Sequence, residues 1–178
     1  SDVYKRQVKS YTGIGSRQTP EAWLLFLEKL SEKLAKKDYC LRSGGAQGAD
    51  QAFERGGVLK QIFLPWDGFE NKKADGLTIF SMRDSNPTVW TKAQKFAESF
   101  HPAWDRLTEG ARALHTRNTM QVLGPDLQSP SQFVVCYSPG RGGTEQALRI
   151  ARFVEIPIFN VYVEDDIPKL LDYLKGLK

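Results

Sequence analysis

Apolar positions along the chain alternate between two patterns: short runs of β-type residues, and longer stretches with the three-four spacing of a helix face. Residues 8–12 read as a first strand, with Gly13-Ile14-Gly15-Ser16-Arg17 as the turn after it. Thr19 then stands as an N-cap before Pro20 at the first helical position. Trp23, Leu27, Leu30 and Leu34 follow at spacings of four, three and four, which predicts a helix to about Lys37. Residues 39–42 form a second strand. It runs into Ser43-Gly44-Gly45-Ala46-Gln47-Gly48-Ala49-Asp50 and a short helix ending near Gly56-Gly57. Residues 61–64 are a third strand, stopped by Pro65.

The middle of the chain is less regular. Residues 67–84 mix Gly, Asn, Lys and aromatics and read as a long excursion from the sheet. Two helices follow, over residues 88–100 and 103–123, separated by His101-Pro102. Residues 133–137 are almost continuously apolar, as expected of a strand covered on both faces. The segment Ser138-Pro139-Gly140-Arg141-Gly142-Gly143-Thr144 is another glycine turn and opens a helix to about Val154. Residues 158–163 make a last strand and residues 167–174 a closing helix. Alternating strands and helices predict an α/β, Rossmann-like fold, a mainly parallel sheet with helices on both faces. A length of 178 residues suits one domain, assigned to residues 8–178. Residues 1–7 lack an apolar period and read as a non-native or disordered leader.

Composition narrows the function classes. Hydrophobic residues make up 40% and charged residues 26%, as in soluble globular proteins. The longest apolar runs are too short to cross a bilayer, and no secretory h-region follows the first basic residues, so a cytoplasmic, non-membrane protein is expected. Cys40 and Cys136 both sit in apolar strand-like runs and read as buried thiols. Two histidines and no Cys-x-x-Cys give no zinc pattern; neither a metal nor a cofactor is expected. The net charge of +4 suits an anionic ligand but is too small for a basic nucleic-acid-binding stripe.

Three strand-to-helix turns are glycine-rich, and they carry the strongest chemical signal. Glycine lets backbone N–H groups approach an anion, and a following helix start adds free N–H groups and a favourable dipole. In an open α/β sheet such turns share one edge. The phosphate-binding candidates are Gly13, Gly15, Ser16 and Arg17 in the first turn, and Ser43, Gly44, Gly45 and Gln47 in the second. In the third they are Gly140, Arg141, Gly142, Gly143 and Thr144, joined by Arg117 and Asn118 from a helix. The three arginines can fork onto phosphate oxygens; the alternative is ordinary surface arginine. None of the turns is a strict Gly-x-Gly-x-x-Gly, a Walker loop or a nucleophile elbow, which disfavours a standard dehydrogenase, P-loop kinase or serine hydrolase. Trp66 and Phe69 follow the third strand and are candidates either for stacking on a base or for core packing under the excursion. Trp23 reads as core, and Trp90 and Trp104 as helix packing or a subunit contact. His115 reads as a structural helix residue before a catalytic one.

Ser43-Gly44-Gly45-Ala46-Gln47-Gly48-Ala49-Asp50 resembles the glycine loop of the DNA-processing protein DprA. Arg117-Asn118 resembles both DprA's Arg-Asn segment and the His-x-Arg-Lys segment of LOG phosphoribohydrolases. Pro139-Gly140-Arg141-Gly142-Gly143-Thr144 is similar to the LOG signature Pro-Gly-Gly-x-Gly-Thr. Together, over about residues 8–163, these resemble the SLOG superfamily, in particular a small stand-alone member of the kind found in phages. The resemblance implies three activities: binding of a nucleotide-derived signal of the ADP-ribose type, N-glycosidic cleavage of nucleoside monophosphates, or single-stranded DNA binding. It also implies a homodimer or higher homo-oligomer, in the host-cell cytoplasm if phage-encoded.

One departure ranks these. The LOG pattern continues Gly-Thr-x-x-Glu, with the Glu used in catalysis, but the third residue after Thr144 is Ala147. Glu145 lies about 200° away on a helix and cannot simply replace it. Asp50, the other acid beside a glycine loop, reads as a helix cap before a base. Binding and sequestration of a nucleotide-type small molecule therefore rank first, N-glycosidase activity second, and single-strand binding last, since the chain has no appended DNA-binding domain.

Overall fold

Short, largely buried runs of chain assemble into one sheet. The computed structural model describes residues 9–178. Its strands are β1 (Ser10–Gly15), β2 (Cys40–Ser43), β3 (Lys60–Phe63), β4 (Ile79–Phe80), β5 (Val134–Tyr137) and β6 (Ile158–Asn160). The helices are α1 (Glu21–Lys36), α2 (Ala49–Gly56), α3 (Met82–Ser85), α4 (Pro87–Phe100), α5 (Glu109–Leu123), α6 (Gly143–Phe153) and α7 (Asp166–Lys175). The six strands are all parallel, in the order β4-β3-β2-β1-β5-β6. The protein is thus an α/β domain of Rossmann-like architecture.

Strand β5 illustrates why both faces are covered. Phe133 and Val135 join a core of Tyr11, Leu27, Leu41 and Phe53 on the α1–α2–α7 side. Val134 and Cys136 point the other way, into Ile14, Val122, Leu148 and Ile150 beneath α5 and α6. Both cysteines are free and buried. No helix among the described residues is long and apolar enough to cross a membrane.

Some elements differ from expectation. Val8 and the leader lie outside the described residues, and β1 runs on through Gly15, so Gly13 is a strand residue rather than part of the turn. Its missing Cβ makes room for protein: a methyl group there would lie 2.6 Å from Phe53 Cδ1. Thr19 does not cap α1; its hydroxyl donates to the Ser16 carbonyl at 2.6 Å, and Pro20 takes the N-cap place. The excursion over residues 67–84 returns to the sheet as the edge strand β4 before entering α3. Residues 103–108 are not helical as one piece: Trp104–Arg106 form a 3-10 turn, and Thr108 caps α5 by accepting from the Ala111 N–H at 3.2 Å. β6 stops at Asn160, three residues short of the expected end.

The chain runs outward from β1 to β4 and then returns to place β5 on β1's other side. The loops leaving β1 and β5 therefore diverge, and a crevice opens between them at the carboxyl edge of the sheet.

Candidate functional site

In that crevice lies a cleft of about 410 Å³. From the β1–α1 turn it takes Gly15, Ser16, Arg17 and Gln18; from the β5–α6 turn, Arg141, Gly142, Gly143 and Thr144. Helix α5 contributes Leu114, Arg117, Asn118 and Gln121, and the second turn only Ala46 and Asp50. Nine of the expected phosphate-site residues therefore meet on one surface. Gly13, Ser43, Gly44, Gly45, Gln47 and Gly140 do not line the cleft.

The β2–α2 turn is closed by protein. Arg117 is only 5% exposed, and its Nη1 donates to the carbonyls of Gly44 (2.6 Å) and Phe63 (3.1 Å). Its Nε donates to Asn118 Oδ1 at 2.8 Å. With the Gln121 amide oriented to satisfy its neighbours, its oxygen accepts from the Gly44 N–H at 3.1 Å and its nitrogen donates to Asn118 Oδ1 at 3.2 Å. A Cβ on Gly44 would stand 2.7 Å from Arg117 Cζ and would strike the Gln121 amide. Glycine is required at this position to admit Arg117 and Gln121. Arg117 is thus first a strut of the turn; Nη2, which makes no hydrogen bond to the described residues, is the part left for the cleft.

Asp50 ties this turn to the first. Its carboxylate accepts from the N–H groups of Gly15 (3.2 Å) and Ala46 (3.4 Å). Burial pushes its pKa up to about 6, against the opposing pull of Arg117 and the backbone donors. Burial likewise lowers Arg117 to about 10. Gly48 lets the two turns touch: with φ +85°, its Cβ would lie 2.5 Å from the Ser16 carbonyl oxygen.

The β5–α6 turn is open. Gly140 and Gly142 both hold φ +94°, and no atom of the described residues lies within 4 Å of where a Cβ would be on Gly140, Gly142 or Gly143. Helix α6 starts with no side-chain cap, and the Gly143 and Thr144 N–H groups have no partner among the described residues. Asn118 anchors the helix start from below, donating to the Gly143 carbonyl at 3.0 Å. Arg17 and Arg141 are exposed at the rim. Unpaired amides at a helix start, faced by guanidinium groups, form an anion cradle.

The remaining candidates lie elsewhere. Phe69 is 5% exposed and belongs to the core, edge-on to Trp66 at 5.4 Å, and neither ring lines the cleft. The turn holding Phe69 is strained, with Glu70 and Asn71 at φ 52° and 60°. Its ring backs the guanidinium groups of Arg17 (5.9 Å) and Arg117 (5.4 Å). Glu145 accepts from the Ser138 hydroxyl at 2.9 Å and faces an adjoining cavity, while Ala147 is fully buried in the core. No cluster of three metal-ligating side chains occurs among the described residues. Sequence reasoning missed Gln121 and Leu114. The available signal was the run Thr116-Arg117-Asn118-Thr119, with Gln121 just beyond it: polar residues buried in mid-helix.

No protein-family model matches the chain, and no curated protein matches it in sequence.

Proposed function

We propose that this cleft binds a phosphate-bearing, nucleotide-derived small molecule, holding it for sequestration or sensing rather than for cleavage. One observation carries the reading: the unpartnered amides at the start of α6 face Arg17, Arg141 and the free edge of Arg117 across one cleft. A signal of the ADP-ribose type fits this chemistry, and it is the ligand class implied by the SLOG resemblance. Cleavage of an N-glycosidic bond would need a carboxylate at the bond. Ala147 lies in the core, Glu145 binds Ser138 through Oε1 and lines the adjoining cavity beyond the α6 turn, and Asp50 is spent on loop amides. In this reading the protein acts in the cytoplasm as a homo-oligomer.

Calorimetric titration with ADP-ribose and with AMP, followed by chromatography of the incubated mixtures, tests this. Saturable binding of either compound with both recovered intact is the expected result. Free base appearing in proportion to protein would replace it with the N-glycosidase reading, and absence of heat with both would remove the phosphate site.

A further inference from the structure

The cleft does not end at the α6 turn. Leu114, Arg141, Gly142 and Gly143 also line a second cavity of about 500 Å³ on the far side, where His101, His115 and Glu145 stand. We propose that this histidine compartment is the base subsite of a nucleotide whose phosphate occupies the cleft. The inference rests on the phosphate reading and adds where the heteroaromatic ring goes.

The geometry fits a flat ring with a mixed polar edge. The His101 and His115 rings lie 4.5 Å apart, inclined at 53°. Leu114, Ala111 and Pro102 supply apolar surface beside them. His101 Nδ1 accepts from the Ala103 N–H at 3.1 Å, so Nε2 carries the proton and presents a donor. His115 Nδ1 is sealed from solvent without a partner, which leaves Nε2 as that ring's open nitrogen. Glu145 binds Ser138 through Oε1 and keeps Oε2 for an amino group, with Arg152 Nη1 a loose 3.8 Å away.

Charge argues for a base here and against a second phosphate. Arg149, which lines the compartment with Arg141, already donates to the Phe100 carbonyl (2.9 Å) and to Gln146 Oε1 (2.8 Å). Burial lowers both imidazoles toward the neutral form; His115, with His101, Arg149 and Arg117 near it, falls to about 4. Neutral imidazoles stack on and hydrogen-bond a base, and give little to an anion. The cavity on the opposite side is the competing place, with Tyr137 as its aromatic wall. Tyr137 already packs against Trp23 (6.3 Å) and Tyr162 (5.5 Å).

The test is calorimetric titration of the full chain with AMP, GMP, CMP, UMP and ribose 5-phosphate. Wild type, His115→Gln, His101→Ala and Tyr137→Leu are compared, with melting temperatures to confirm folding. At least one nucleotide should bind wild type about 10-fold tighter than ribose 5-phosphate, the order expected for one stacked base. Either histidine change should erase most of that advantage and leave ribose 5-phosphate affinity unchanged; having two variants covers the failure of one to fold. The proposal is overturned if no nucleotide exceeds ribose 5-phosphate, if the advantage survives both histidine changes, or if only Tyr137→Leu removes it. In each of those cases the phosphate site still stands. If neither nucleotide nor ribose 5-phosphate binds, the phosphate site falls and the base subsite with it.

Discussion

The β2–α2 turn and the β5–α6 turn have similar compositions and opposite roles. Gly44 leaves space that Arg117 and Gln121 fill, whereas Gly140, Gly142 and Gly143 leave space that none of the described residues fills. The first turn spends its backbone groups on internal bonds to Arg117, Gln121 and Asp50. The second keeps two N–H groups without a partner among the described residues at a helix start. A glycine-rich turn is therefore an anion site only if no side chain from elsewhere in the fold has already taken its amides and its missing Cβ volume.

The largest expected effect lies on the closed side. Arg117→Ala leaves the Gly44 and Phe63 carbonyls without their donor and Asp50 without its nearby cation. Loss of one member of a buried charged network costs about 3–5 kcal/mol, which for a chain of this size lowers Tm by roughly 10 °C. Thermal melting checks it, and an unchanged Tm would contradict the closed-turn description. Gly44→Ala comes next, because the new methyl meets Arg117 and Gln121; overpacking of this kind costs about 1–3 kcal/mol, read by urea unfolding.

Buried Asp50 and half-buried His115 make stability depend on pH with opposite signs. Asp50 is raised from 3.8 to about 6, so the folded state binds its proton more tightly. That stabilising contribution is complete below pH 4 and is lost as pH rises through 6. His115 is lowered from 6.5 to about 4, so its contribution is complete above pH 6.5 and is lost as pH falls through 4. Across pH 4–6 the two slopes oppose each other in the wild type. Asp50→Asn should leave stability rising with pH across this window, and His115→Gln should leave it falling. Parallel wild-type and variant curves would show that these groups do not titrate as described.

The smallest stability effect is expected on the open side. Gly143→Ala places a methyl group in empty space at an ordinary backbone conformation, so stability should stay within about 0.5 kcal/mol of wild type. Affinity for AMP should nevertheless fall if the phosphate site is as proposed, because the methyl group would stand where the anion approaches.

The contrast between the turns also marks how far the sequence could be read. Periodicity placed most of the strands and helices because each buries a contiguous apolar face, and the α/β order put all three glycine turns at one sheet edge. It missed β4, since Ile79–Phe80 is a two-residue edge strand inside a polar excursion. It also could not separate the closed glycine from the open ones. The residue that fills Gly44's space lies 73 positions along the chain, so only the fold brings the two together. For the same reason Phe69 reads locally as either a stacking or a core residue, and only the fold places it in the core, behind Arg17 and Arg117.

The most direct test of the open cleft is the affinity of Arg17→Ala for ADP-ribose beside that of wild type, with the Tm of each. Arg17 is exposed at the rim, and its side chain rests on the Phe69 ring at 5.9 Å without a side-chain hydrogen bond to the described residues. Binding should weaken about 10- to 150-fold, the loss of a charge-assisted contact worth roughly 1.5–3 kcal/mol, while Tm stays within about 2 °C. Wild-type affinity in the variant, or a lowered Tm with unchanged affinity, would contradict a phosphate held between the β1 and β5 turns.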